Sequence, residues 1–219
     1  MKTRAVIQVA PGSQLLVDEL EVPEPRADQV IVKLYSSGVC HSQLHQMEND
    51  GLPRPLVLGH EGTGIVAQVG RDVTHLREGD HAIVTWVPRT PVRGRPAIQP
   101  SGITYHEEPV HGSTYTWGED VLISGDYVVP IPKDAPTDIS CIVGCAVLTG
   151  AGAVLNTAKV RPGDSVAVYG VGGVGLCAIQ MAAILEANLE RGVMGSLELP
   201  LAAGAELSSH QLRPALRKL

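Results

Sequence analysis

Gly59-His60-Glu61-Gly62-Thr63-Gly64, together with Gly38-Val39-Cys40-His41-Ser42 upstream of it, is the stretch whose reading decides the fold. It holds a thiol and an imidazole among turn glycines. Cys145, far downstream, offers a second thiol. Zinc takes thiolate sulfur and imidazole nitrogen in tetrahedral sites, and a catalytic zinc keeps three protein ligands and one open position. The set Cys40, His60 and Cys145 fits that description. Its long spacings need a folded scaffold, which suits a catalytic ion better than a folding staple. Plainer readings compete with this one. A lone cysteine is usually a small buried hydrophobe, and a lone histidine a hydrogen-bonded structural group. On ligand chemistry alone both readings stay open.

The rest of the composition narrows the function classes. The chain has 219 residues, 44% of them hydrophobic, enough for one good core or for one domain and part of another. The net charge of -6, with 3% aromatics and no Phe, argues against nucleic-acid binding, which wants a basic face or stacking rings. Four cysteines at 40, 141, 145 and 177 are too few and too spread for a disulfide framework. No charged-plus-apolar leader opens the chain, since Gln8 and Pro11-Gly12 interrupt the first apolar run. The longest apolar run, 174–185, is too short to span a bilayer. A soluble cytoplasmic protein without membrane or nucleic-acid partners is expected.

Strand patterns fill the first half. Residues 5–9 and 15–20 read as a hairpin around Pro11-Gly12, and 30–38 as a β-branched strand ending in glycine. Residues 42–48 suit one or two helical turns with Ser42 as N-cap. Residues 62–69 read as a strand in which Gly62 and Gly64 allow close backbone approach, and 81–87 as another strand. Residues 88–118 are rich in Pro and Gly and read as an irregular loop, either held by packing of Tyr105, Tyr115 and Trp117 or mobile. Strand returns over 119–131, and 138–158 reads as helix interrupted by glycines. Many short strands between Gly and Pro indicate a small all-β barrel.

The pattern then changes. Ser165-Val166-Ala167-Val168-Tyr169 suits a buried parallel strand, and it runs into Gly170-x-Gly172-x-x-Gly175 and an apolar helix. A glycine motif between a strand and a helix lets a dinucleotide pyrophosphate approach the backbone and rest on the helix N-terminus.

The run Gly59-His60-Glu61-x-x-Gly64-x5-Gly70-x-x-Val73 resembles the zinc signature of the medium-chain alcohol dehydrogenase family, with every fixed position filled. Residues 38–42 resemble the segment bearing that family's first zinc ligand, and 144–150 the segment bearing its third. The resemblance covers roughly residues 1–185 and implies an α+β chain. A GroES-like β-barrel catalytic domain, residues 1–150, precedes a partial Rossmann (α/β) NAD(P)-binding domain, residues 151–219, whose tail diverges from about residue 186.

The implied activity is zinc-dependent interconversion of alcohols with aldehydes or ketones by hydride transfer to or from NAD(P). Cys40, His60 and Cys145 then bind one catalytic zinc, with Glu61 beside it as a tuning or transient ligand, the plainer reading being a buried salt bridge. Ser42 and His45 match the family's proton relay; the plainer readings are a helix cap and a solvated surface residue. His41 sits where relatives place a basic residue near the cofactor phosphate, Thr149 near the nicotinamide, and Gly170, Gly172 and Gly175 hold the dinucleotide. Trp86 matches an aromatic lining the pocket for a small-molecule alcohol or aldehyde. His75, His81, His106 and His111 have no motif support and read as surface or structural residues.

Two departures from the family stand out. No cysteine lies between Cys40 and Cys141, so no structural zinc is expected. Beyond Leu185 no β-branched strand ending in an acid is visible, and 196–200 makes a poor central strand. The expectation is a truncated or frame-altered dehydrogenase, the alternative function being a non-catalytic zinc-binding fragment. Family members pair through later strands of the cofactor sheet, so homo-oligomers are expected of full-length relatives rather than of this chain.

Overall fold

The computed structural model describes residues 1–90 and 101–193, the last five by backbone alone. The chain divides into two compact units, Met1–Cys145 and one starting at Ala146. Sequence placed the division after residue 150.

The first unit is built on two antiparallel sheets. One has the order β4-β1-β2-β7-β8, from Leu56–Val57, Lys2–Gln8, Leu16–Glu21, Thr104–Tyr105 and Glu108–Pro109. The other has the order β10-β6-β5-β3-β9, from Val128–Pro130, His81–Val84, Gly62–Val69, Gln29–Ser37 and Asp120–Ser124. Strand β3 explains how the unit closes. Its side chains alternate across the pleat, yet Val30, Ile31 and Val32 are all buried. Ile31 joins Ile7, Leu20, Val57 and Leu122 in one core. Val30 and Val32 join Val66, Val84 and Val128 in the other. Each such side chain contributes about 1.5–3 kcal/mol by leaving water. The expected hairpin forms with Val6 opposite Val17. At Gly64 the ideal Cβ position lies 2.2 Å from the Lys33 carbonyl oxygen, the close approach expected there.

Four expectations are corrected in this unit. The stretch 88–118 is not irregular throughout, because β7 and β8 form a tight hairpin that extends the first sheet. Its turn residues His106 and Glu107 take φ of 49° and 71°, so the turn is made without glycine. Residues 91–100 of that stretch lie outside the described residues. Tyr115 is buried in the core and Tyr105 packs against it, as expected. Strand β6 ends at Val84 rather than Val87, because the Thr85 side chain accepts the Val87 N–H and turns the chain. Residues 119–131 are two strands separated by a 3-10 turn, Gly125–Tyr127. The short helix α1 is Ser42–Glu48, but its cap position is His41, without a side-chain bond. The Ser42 hydroxyl is engaged by Cys40 instead.

In the glycine-interrupted stretch 138–158, a 3-10 helix Ser140–Gly144 ends the first unit, and α2, Ala146–Gly152, begins the second. A π-helical turn, Ala153–Ala158, follows. Then come β11, Ser165–Tyr169, helix α3, Gly173–Ile184, and β12, Asn188–Val193. Strand β12 pairs parallel to β11, so the region read as a divergent tail from residue 186 starts with a second parallel strand. Its sequence, NLERGV, hides it, because the backbone ladder rather than a β-branched run defines it. Strand β11 is not the buried strand expected, since Tyr169 is 84% exposed. Among the described residues β12 is its one partner strand and α3 directly follows it, which leaves part of its surface open. No helix among the described residues is long and apolar enough to cross a membrane.

Candidate metal centre

Three segments of the first unit converge. Cys40 follows strand β3 and opens the turn into α1. Its N–H donates to Gln43 Oε1 at 2.8 Å, and its carbonyl accepts the Gln43 N–H at 3.0 Å. His60 stands between β4 and β5, directly after Gly59. Gly59 has φ of 91°, and a Cβ there would lie 2.4 Å from Thr116 Oγ1 and 2.5 Å from the Trp117 nitrogen. Only glycine fits that turn. Cys145 ends the 3-10 helix, whose last residue, Gly144, lies so near β6 that a Cβ would meet the Val84 oxygen at 2.5 Å.

The donor atoms lie within ligand reach. His60 Nε2 is 3.3 Å from Cys145 Sγ. Cys145 Sγ is 4.0 Å from Cys40 Sγ. The ligating atoms of all three residues fall within 4.8 Å of one another. Tetrahedral zinc, with sulfur at about 2.3 Å and nitrogen at about 2.1 Å, would hold its ligands about 3.6–3.8 Å apart. The donor set is the one zinc favours, and the two contacts of Cys145 are within a few tenths of an ångström of that spacing.

Charge points the same way. Burial pushes the Cys145 thiol up to about 12, with the Glu61 carboxylate and Cys40 adding to the effect and the Trp86 hydrogen bond opposing it. Burial also lowers the His60 pKa, which keeps its imidazole neutral and able to donate a lone pair. Glu61 is 2% exposed, and Gly38 leaves it room, since a Cβ on Gly38 would sit 2.5 Å from Glu61 Cδ. The Cys145 thiol thus resists ionising in this corner, and a divalent cation beside it would remove that resistance.

The other predicted residues are distributed as follows. The Ser42 hydroxyl donates to Cys40 Sγ at 3.3 Å. His41 and His45 are exposed, their rings 5.2 Å apart and edge to face. Trp86 is 44% exposed. Thr149 is on α2 and the three motif glycines are around the β11–α3 turn, all in the second unit. Gly170 has φ of 87°. Gly172 caps α3, and nothing lies within 4 Å of where its Cβ would be. Gly175 packs so close that its Cβ would be 1.9 Å from the Gly170 oxygen. An open turn leading into bare helix N–H groups fits a pyrophosphate. His75 bridges the Gly125 and Val128 carbonyls, a structural role.

Sequence reasoning missed Gln43, Thr85 and Thr116, the polar side chains that hold these segments. Gln43 alone carried a signal, a carboxamide three residues past a turn start, the spacing of a reciprocal cap.

Residues 26–133 match the alcohol dehydrogenase GroES-like domain. S-(hydroxymethyl)glutathione dehydrogenase from Escherichia coli O1:K1 / APEC is 35% identical over a 209-residue alignment, covering 83% of this chain and 56% of that protein. The chain therefore spans little more than half the length of the curated relatives it matches. Among solved structures, an alcohol dehydrogenase zinc-binding domain protein from Burkholderia ambifaria is 27% identical with a TM-score of 0.82, over all of this chain and 67% of that one. Benzyl alcohol dehydrogenase from Acinetobacter calcoaceticus is 28% identical with a TM-score of 0.76, over 86% of this chain and 57% of that one.

Proposed function

We infer that the chain belongs to the zinc-containing medium-chain alcohol dehydrogenase family, and from that premise that it binds one zinc and interconverts alcohols with aldehydes or ketones by hydride transfer to or from NAD(P). The observation that carries the reading is the meeting of Cys40, His60 and Cys145 donor atoms within 4.8 Å. We assign residues 1–150 to the catalytic domain and 151–219 to the cofactor domain, and place the protein in the cytoplasm.

Cys40, His60 and Cys145 hold the metal, with the Glu61 carboxylate buried beside them. Zinc held there supplies a Lewis acid that lowers the pKa of an alcohol. Bound NAD(P)+ supplies the hydride acceptor. In the oxidative direction NAD(P)+ held there would accept a hydride from the alcohol carbon while the oxygen's proton leaves through the protein, so that a carbonyl, NAD(P)H and H+ balance the reaction. Ser42, already hydrogen-bonded to the ligand Cys40, takes that proton and passes it to His45, which is exposed and releases it to water. His41 adds positive charge for the cofactor phosphate when protonated, and Thr149 contacts the nicotinamide. The turn Gly170, Gly172 and Gly175 takes the pyrophosphate. The indole of Trp86 narrows the pocket and favours slender alcohols.

A second reading, a zinc-binding unit that does not turn over, is favoured by one fact: the ligand set lies wholly within Met1–Cys145. Zinc content, NADH fluorescence and a panel of ethanol, benzyl alcohol and S-(hydroxymethyl)glutathione separate the two. One zinc per chain, quenched or shifted NADH emission and turnover of any panel member support the enzyme. Zinc without cofactor binding or turnover leaves the second reading.

A further inference from the structure

Each ligand segment is hydrogen-bonded by a buried polar side chain that is not itself a ligand: Gln43 closes the turn at Cys40, while Thr116 and Thr85 bridge to the segments of His60 and Cys145. Gln43 accepts the Cys40 N–H through Oε1 at 2.8 Å. Thr116 Oγ1 accepts the N–H of Glu61, next to His60, at 3.3 Å, and the Ser37 hydroxyl at 3.0 Å. Thr85 donates its hydroxyl to the carbonyl of Gly144, next to Cys145, at 2.7 Å. Among the described residues, Gln43 Nε2 is buried and has no hydrogen-bond partner. An apolar side chain would fill that space without an unsatisfied donor. What the carboxamide adds is its acceptor, and that acceptor is spent on Cys40.

Resting on the reading that the triad binds metal, we propose that Gln43, Thr116 and Thr85 are positioning residues that set Cys40, His60 and Cys145 at ligand distance before the metal arrives. The physical need is plain. The three segments come from positions far apart in sequence, and each donor must be brought to the others by the fold. Left free, the segments would spread, and the metal would have to bear the cost of ordering them. Held at 3.3 and 4.0 Å, the donors have already met that cost in folding. Partners of this kind, which orient ligands without touching the metal, commonly govern metal affinity by 10–100-fold.

The test is titration of the metal-free protein with Co2+, followed through its thiolate charge-transfer and visible d–d bands. These report affinity and tetrahedral geometry without any turnover. Thr85→Val keeps the shape and loses the hydroxyl; Thr85→Ser keeps the hydroxyl. Gln43→Met keeps the length and loses the acceptor. Thr85→Val and Gln43→Met should each weaken Co2+ binding about 10-fold and alter the d–d bands. Thr85→Ser should bind within about twofold of the parent, which is the rescue a merely structural role would not require. Thr3→Val removes a buried hydroxyl that bonds Asp120 and no residue of the ligand segments, and serves as the stability control. It should lower the unfolding midpoint and leave Co2+ affinity unchanged. Parent-like affinity in both Thr85→Val and Gln43→Met, or an equal loss in Thr3→Val, overturns the proposal. Gln43→Met alone decides it should Thr85→Val not fold. Failure of the parent to bind Co2+ instead removes the metal reading on which the proposal rests.

Discussion

The ligand corner of the first unit and the glycine turn of the second are built in opposite ways. The corner draws Cys40, His60 and Cys145 from three distant segments and surrounds them with buried hydrogen bonds. The turn is a single contiguous piece of backbone, and the space where a Gly172 side chain would be is empty. Side-chain sites need scaffolding, because every donor must be brought in and held. Backbone sites need only the right dihedrals and a helix start. The first kind should therefore fail through its donors, and the second through a single methyl group.

Loss of a donor should give the largest effect. Cys145→Ser or His60→Ala should weaken zinc by more than about 100-fold, the upper range for residues that merely orient ligands. Zinc per chain after dialysis measures it. Retention of stoichiometric zinc by both variants would break the comparison, since the corner would then not be the metal site.

The turn offers a sharper contrast between two methyl groups. Gly175→Ala puts a Cβ 1.9 Å from the Gly170 oxygen and should destabilise the second unit by about 1–3 kcal/mol. Gly172→Ala meets nothing within 4 Å and should leave stability nearly unchanged, yet the same methyl group should weaken NADH binding by filling the approach to the helix. Thermal unfolding and NADH fluorescence of the two variants, side by side, test this. Equal NADH affinity for Gly172→Ala and the parent would remove the cofactor role from the turn.

The same contrast explains what could be read before any coordinates. His60 stood out because its glycines stood out, and Gly59 is glycine for a steric reason the structure shows. The β11–α3 turn was legible because a strand, three spaced glycines and a helix follow one another directly. Strand β3 was legible as a strand, but its burial on both faces was not, since that depends on cores assembled from other strands. The β7–β8 hairpin escaped because two-residue strands carry no period and its turn uses His106 and Glu107 where glycine would have signalled it. Strand β12 escaped because its pairing with β11, not its composition, makes it a strand. Ser42 was misread as a cap because a hydroxyl at a helix start can either accept a backbone N–H or donate its own proton, and sequence does not show that it donates to the Cys40 sulfur.

Titration should sharpen the electrostatic side. In the metal-free protein Cys145 holds its proton up to about 12, against 9.0 for an ordinary thiol. Its contribution to stability is fully present below 9.0 and is lost as pH rises toward about 12. His60 acts on the acid side. Its pKa is lowered below 6.5, so its contribution is present above 6.5 and is lost as pH falls from there through its lower folded value. The metal-free fold should thus be flattest between those limits, with slopes of at most about 1.4 kcal/mol per pH unit per proton outside them. Zinc must displace the Cys145 proton, so its affinity should rise with pH through neutrality, about tenfold per unit for each proton released. Chemical denaturation of the metal-free protein across pH, beside competitive zinc titrations, measures both. A zinc affinity independent of pH would mean that the thiol does not ionise on binding.

The smallest expected effect lies in the β7–β8 hairpin, which belongs to the first unit by its sheet but reaches water with its polar ends. The Tyr105 hydroxyl donates to Asp18 Oδ2 at 2.9 Å, on an exposed edge. Tyr105→Phe removes that donor and keeps the ring that packs against the core. The unfolding midpoint should move by less than about 2 °C, because an exposed bond is exchanged for one to water. The Asp18 titration should register the change more clearly. Its pKa is lowered first by the Glu19 N–H and second by Tyr105, so the variant should move it only part of the way back to 3.8. A large drop in midpoint would mean that the hairpin depends on its edge contacts rather than on Tyr115 and the buried ring face, and would place it with the open turn rather than the closed corner.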